Sequence, residues 1–188
     1  VLENGPITDW VQRFLKSQNA LRFNPDDVVV VLRKSGARRP VEERFSGGLE
    51  ALTNFPDCAQ LHFISAATGE WMNNALRMEH GDSFREVPDA AFRANFTLTG
   101  ISPNTEDLIQ RIRIELTSLT AHAGVVVSNP TAEIVFGEPC TRCDVTRVDI
   151  RTGETPDKEP LKWLLRNRPP RLGEGNSATY GIYAAVHS

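Results

Sequence analysis

The chain has 188 residues, of which 40% are hydrophobic and 24% charged, and its formal net charge is −3. That length suffices for one domain with a sizeable core, and the balance is that of an ordinary globular protein. It excludes a global basic field for nucleic acid, no apolar run nears the roughly 20 residues that span a bilayer, and no basic-then-apolar leader is visible.

The first predicted element is a helix over Thr8 to Leu15. Pro6 precedes it, Thr8 or Asp9 caps it, and Trp10, Phe14 and Leu15 share one face, where core packing is expected. Asn24 to Asp27 is a turn, Val28 to Leu32 a buried strand, and the basic stretch Lys34 to Arg44 an exposed loop. Leu61 to Ile64 forms a short strand holding a structural His62. Ser65 then caps a helix carrying Trp71, Met72, Ala75 and Leu76, which ends near a surface His80. Gly81 to Pro88 is loop. Ala91 to Thr99 alternates as a strand, with Phe92, Ala94, Phe96 and Leu98 on one face and Arg93, Asn95, Thr97 and Thr99 on the other. By spacing alone the polar face is a solvated one.

Arg111 to Leu116 alternates as another strand, and Gly124 to Val127 is a further apolar run. Ala132 to Phe136 leads to Pro139-Cys140-Thr141-Arg142-Cys143, after which Asp144 to Ile150 alternates again: strand, loop, strand, with both thiols at the loop. Lys158 to Arg168 is a helix with Pro160 in its first turn and Leu161, Leu164 and Leu165 on one side, and Pro169-Pro170 stops it. Thr179 to Val186 is the last strand. Strands outnumber helices and no βαβ rhythm runs through the chain. The expected fold is mainly β with flanking helices (α+β), a barrel with the helices outside.

The Cys140/Cys143 pair leaves four chemistries open. A structural zinc site needs four ligands, and no second pair has zinc spacing. A thioredoxin-like pair opens a helix, whereas the residues after Cys143 alternate. Two small buried residues without chemistry are a third reading. The fourth is a reactive thiol serving a metal cofactor or a transferred sulfur, with Arg142 and Arg147 favouring the thiolate.

These residues resemble a known family. Pro139 to Cys143, Val148-Asp149, Thr152-Gly153, Glu159-Pro160-Leu161 with Arg168, and Tyr180-Gly181-Ile182-Tyr183 are similar to the C-terminal half of a MOSC domain. That domain is shared by molybdenum cofactor sulfurases and the mitochondrial amidoxime-reducing component. Phe92-Arg93-Ala94-Asn95, then Glu106-Asp107, Ile64-Ser65 leading into a helix, and Asp9-Trp10 with Phe14-Leu15 extend the resemblance over nearly the whole chain. It implies a MOSC-type β-barrel over 1–188 that binds molybdenum cofactor (molybdopterin). Cys143 falls on the family's sulfur-carrying or molybdenum-ligating cysteine. Arg93 and Asn95 fall on a motif near the cofactor, and Cys140, Arg142 and Arg147 join them as cofactor-facing residues. The phosphate and the metal of such a ligand suit arginine forks and a soft thiolate.

Three functions follow from the resemblance. One is a sulfur-carrier domain partnered by a pyridoxal-phosphate cysteine desulfurase domain. Another is a molybdenum-dependent oxidoreductase that reduces N-hydroxylated substrates and takes electrons from a redox partner protein. The third is a MOSC-like fold without catalysis. The sequence departs from the family in a longer Glu115 to Thr131 segment, in Ile109 where tryptophan is common, and in lacking the β-rich domain that commonly comes first, so a fragment of a longer protein is an alternative. Three cysteines outside any disulfide framework predict a reducing compartment, the cytoplasm, with the mitochondrion as the alternative.

Overall fold

A computed structural model describes residues 2–3, 5–16, 26, 31–32, 38–53, 58–115, 119–120, 126–127, 131–168 and 177–187. The chain divides into two compact units, Val1–Arg39 and Pro40–Ser188. In the first, β1 (Leu2–Glu3) pairs antiparallel with β2 (Val31–Leu32) and α1 spans Gly5–Lys16. Pro6 lies inside the first turn of α1, where its missing N–H leaves no carbonyl unpaired, so the helix starts earlier than the predicted cap at Thr8. Trp10 and Phe14, one turn apart, stack with ring centres 5.9 Å apart. Residues 28–30 of the predicted strand and the turn at 24–25 lie outside the described residues.

β3 (Arg39–Pro40) marks the boundary. The second unit then runs α2 (Glu43–Ser46), β4 (Leu52–Thr53), β5 (Leu61–Ser65), α3 (Ala66–His80), β6 (Phe96–Leu98), β7 (Arg111–Glu115), β8 (Leu119–Thr120), β9 (Val126–Val127), β10 (Thr131–Thr141), α4 (Leu161–Asn167) and β11 (Thr179–His187). Five strands form one sheet in the order β6-β5-β11-β10-β7, curled into half a barrel with helices beside it, as the expected mainly β fold requires. Only β5 and β6 are parallel; the other pairs are antiparallel. β8 and β9 pair as a separate antiparallel ribbon.

β11 is the centre of the core because both its faces are covered. Ile182 and Ala184 pack with Phe63, Ile134 and Phe136, while Ala185, with Tyr183 against it, packs with Val41 and Phe45. Tyr180 belongs to a third cluster with Ile64, Met72, Leu76, Phe92, Trp163 and Leu164, which seats α3 and α4. Ser65 caps α3 as predicted, its Oγ accepting the Thr68 N–H at 3.3 Å. α4 is shorter than predicted, and Trp163 and Leu164 rather than Leu165 are its buried residues.

Three predicted segments differ. The 34–44 stretch is not all loop: Val41 is buried and α2 begins at Glu43, while 34–37 lie outside the described residues. Ala91 to Thr99 is not one strand. A 3-10 turn covers Asp89–Phe92, Arg93 is left-handed (φ 54°), and only Phe96–Leu98 is extended. Adjacent Ala91 and Phe92 are 4% and 1% exposed, and a half-buried strand cannot turn two neighbours to the same side. Asp144 to Ile150 is not a strand either, since Asp144–Arg147 is a 3-10 turn. There the Thr146 Oγ1 donates to the Cys143 carbonyl (2.9 Å) and Arg147 pairs with Asp144 (2.9 Å), local bonds that compete with a ladder.

α2 rests directly on β10 at Gly137, where a Cβ would strike the carbonyls of Arg44 and Phe45. The register of β10 against β11 shifts between Phe136 and Pro139 at this place. Gly137→Ala is therefore expected to lower stability by about 2 kcal/mol or more, read as a lower urea midpoint. An unchanged midpoint would show that α2 can lift off the sheet without cost.

Candidate functional site around Cys143

β10 carries Cys140 into the interior and releases Cys143 to solvent. Cys140 is 4% exposed, Cys143 is exposed, and both, like Cys58, are free thiols. Cys140 and Thr141 still belong to the strand and Cys143 is itself extended (φ −112°, ψ 179°). Three steps of about 3.3 Å carry their Cα atoms roughly 10 Å apart, beyond the roughly 7 Å limit for a disulfide. The pair is thus no dithiol switch, and the first cysteine opens no helix. Among the described residues no group of three or more His, Cys, Asp or Glu side chains converges as a metal site.

Burial pushes the Cys140 thiol up, an effect that Arg142 and Tyr183 only partly reverse, so Cys140 remains protonated at neutral pH. Arg142 is turned toward it: Nη1 donates to the Cys140 Sγ at 2.8 Å and Nη2 to the Phe92 carbonyl at 2.7 Å. Cys143 terminates the strand as the residue before the 144–147 turn. Its carbonyl accepts from the Thr146 N–H at 3.2 Å and from the Thr146 hydroxyl, with Thr146 itself buried.

The turn at 89–92 packs against the turn at 144–147. It delivers Arg93, exposed, with no hydrogen bond or ion pair from its side chain to any described residue. Asn95 is differently employed: its Oδ1 accepts the His62 N–H at 2.8 Å and its own N–H donates to the His62 carbonyl at 2.8 Å, which extends the β5–β6 pairing by one residue. Arg147 donates to Asp144 and to the Asp157 carbonyl (2.8 Å) and lies farther along the surface. Of the residues predicted for the site, the structure brings Cys140 and Arg142 into direct contact and sets Arg93 and Cys143 on two abutting turns. It commits Asn95 to the backbone and Arg147 to the next loop.

His62 is a residue that periodicity could mark only as structural. It is 8% exposed, its ring lies over Gly181 (φ 79°), and its Nε2 is buried without a partner. Burial first, and the Arg142 charge second, push its pKa down to about 4, against a smaller opposing pull from the Tyr180 and Arg93 backbone. Nothing in the sequence around residue 62 signals this, because the groups responsible, at residues 93, 142 and 180, are distant in the chain.

The wall behind the two turns is held by a buried ionic clamp. Arg168 Nη1 donates to Glu106 Oε1 (2.7 Å) and Asn104 Oδ1 (2.6 Å), and Nη2 to both Asp107 oxygens (2.8 and 2.7 Å). Glu106 Oε2 accepts the Thr68 hydroxyl at 2.9 Å, which ties the first turn of α3 to the same group. Tyr180, with its ring 4.0 Å from that of Phe92 and its hydroxyl donating to the Ser65 carbonyl, connects the clamp to the 89–92 turn. Glu106, Asp107 and Arg168 are motif residues of the resemblance, and here they hold structure.

Two adjoining clefts, of about 380 and 440 Å³, open beside the 85–88 and 156–160 segments. The first presents Arg85, Arg147 and Arg151 together with Glu86, Asp149, Asp157 and Glu159, and Arg85 is paired with Asp149. Neither is lined by Cys143, Arg93 or Asn95, so the exposed thiol lies outside both. With four acids against three bases, the first cleft carries no positive excess to draw an anion.

The family model of the MOSC domain matches residues 50–188, well over half of the chain, and takes in every element from β4 to β11. No curated protein matches the chain.

Proposed function

Because this chain belongs to the MOSC domain family, we propose that it binds molybdenum cofactor and that Cys143 handles the sulfur or ligates the metal there. The observation that carries this is the division of labour between the cysteines: Cys140 is buried and bonded, whereas Cys143 is exposed on a backbone fixed by Thr146. The donor set fits the ligand. A thiolate is a soft ligand for such a metal, and an unpaired exposed guanidinium at Arg93 suits a phosphate. When bound, the cofactor supplies a redox-active metal with dithiolene sulfurs. Cys143 would hold the metal side and Arg93 the anionic side; Cys140 and Arg142 support them from within, and Asn95 ties the segment after Arg93 to β5.

In the sulfur-carrier reading, a persulfide on a pyridoxal-phosphate cysteine desulfurase partner is the donor. The Cys143 thiolate attacks its outer sulfur, the donor's S–S bond breaks, the donor leaves as thiolate, and Cys143 holds the new persulfide. A reducing compartment such as the cytoplasm suits this chemistry and the free thiols. The test incubates wild type, Cys143→Ser and Cys140→Ser with desulfurase, cysteine and molybdenum cofactor, and quantifies persulfide by mass spectrometry and bound molybdenum. Persulfide and metal should be lost in Cys143→Ser and kept in Cys140→Ser. Equal values for wild type and Cys143→Ser would remove Cys143 from the chemistry.

The fixed Cys143 backbone also favours a second reading, a permanent molybdenum ligand in a reductase of N-hydroxylated substrates fed by a redox partner. Stoichiometric molybdenum with reduction of such substrates selects it; persulfide turnover without reduction selects the carrier.

A further inference from the structure

Arg142 stands between the two cysteines, and from its position in the sequence it belongs with the ligand. Its geometry assigns it elsewhere. One arm of its guanidinium bonds the Cys140 Sγ (2.8 Å), the other the Phe92 carbonyl (2.7 Å), and the Cζ lies 5.4 Å from the Phe92 ring centre. The Nε is buried without a hydrogen-bond partner, and the backbone N–H donates to the Ala178 carbonyl at 2.8 Å. Both terminal nitrogens are therefore committed to protein atoms.

What it joins is specific. Phe92 immediately precedes Arg93, and Arg142 immediately precedes Cys143, so one guanidinium bridges the two turns that present the exposed cation and the exposed thiol. Arg93 also needs holding: at φ 54° a non-glycine residue sits in a conformation that costs about 1 kcal/mol or more. The bond from the Arg93 N–H to the Ala90 carbonyl (3.1 Å) closes that turn on itself, and the Arg142 guanidinium ties it to the Cys140–Cys143 segment.

We propose that Arg142 is a positioning residue that sets the separation of the Arg93 guanidinium from the Cys143 sulfur, so that an anion arriving at the thiol meets both. The assignment deepens the reading of Cys143 and Arg93 given above, but its geometry does not depend on which ligand binds. Lysine cannot replace it, because two acceptors in different directions require the planar fork of arginine, and an ammonium reaches one of them.

The test uses two alkylating probes of different charge, iodoacetate and iodoacetamide, with modification of Cys143 followed by peptide mass spectrometry on the whole chain under native conditions. The ratio of their rates reports the positive potential at the thiol. Arg93→Gln should lower the ratio by about threefold to fivefold, the effect of one nearby exposed charge. Arg142→Lys keeps the charge and loses the fork, and should lower the ratio by a similar factor. The Arg93→Gln/Arg142→Lys double variant should fall no further than Arg93→Gln alone, because both changes remove one interaction. Far-UV circular dichroism and the ratio measured in urea confirm that each variant is folded when probed; Arg142→Met, which leaves both acceptors unbonded, is the harsher variant, and Arg142→Lys decides if it does not fold. A wild-type ratio in Arg142→Lys, no effect of Arg93→Gln, or additive falls in the double variant would each overturn the proposal. This ratio pattern in a chain that forms no persulfide and binds no molybdenum would sink the sulfur reading and leave the positioning role standing.

Discussion

Glu106→Ala is expected to cost about 3–5 kcal/mol of stability, the range for breaking a buried ion pair from one side. The Glu106 side chain is fully buried and that of Arg168 is 3% exposed, so the substitution leaves a guanidinium in the interior facing a methyl group. Asp107 retains its two bonds to the other arm of Arg168, but its side chain is 26% exposed and more of its interaction is shared with water. Asp107→Ala should therefore cost less than Glu106→Ala. Glu106→Gln should fall between wild type and Glu106→Ala, because an amide still meets Arg168 and the Thr68 hydroxyl without the charge. Urea unfolding of the four proteins checks the order. A loss near zero for Glu106→Ala would mean that the clamp contributes no net stability. The consequence reaches the site, since the clamp fixes the first turn of α3 and the start of β11, and Tyr180 of β11 supports Phe92.

Acidification is the second strong lever, and it acts through His62. In the unfolded chain this imidazole takes its proton near pH 6.5, and in the fold only near pH 4, so between those values the unfolded state binds more protons. Stability is unaffected by His62 above pH 6.5, declines as the pH falls toward 4, and levels off below, for a total of about 3 kcal/mol. The cause is burial first and the Arg142 charge second. Carboxylates titrate in part of the same range, so the measurement is a difference: His62→Phe should flatten the pH 6.5-to-4 slope of the urea midpoint relative to wild type. Parallel slopes for the two proteins would show that His62 is charged in the fold at pH 5. Because His62 and Arg142 repel as cations, protonation in this window also strains the side chain that joins the two turns of the site.

Local signals in the sequence were sufficient where a segment's structure depends on itself. The alternation of Arg111 to Glu115, the Ser65 cap of α3, and the apolar runs of β5, β10 and β11 all form as their periodicity predicts. So does the mainly β class, and the motif around Cys140 and Cys143 leads to the MOSC family. The same signals failed where distant residues compete. Phe92 alternates with Ala94 and Phe96 as a strand would, but Phe92 joins the cluster of Ile64, Met72 and Tyr180 while its neighbour Ala91 is buried as well, and a turn is what allows that. Asp144 to Ile150 alternates too, yet side-chain bonds to the backbone from Thr146 and a local ion pair close a turn first.

Which of two nearly identical cysteines faces water is likewise a tertiary matter. It follows from the register of β10 against β11, where Pro139 meets Ile182 and Thr141 meets Thr179, so Cys140 falls on the covered side. The direction of Arg142, the burial of His62, and the pairing of Arg168 with Glu106 across 62 positions share that origin. Each depends on groups that sequence separation hides and folding brings within bonding distance. Residue types and spacing determined the class of fold and the sulfur to examine. Strand register and buried charge decided which sulfur is available and what holds it in place.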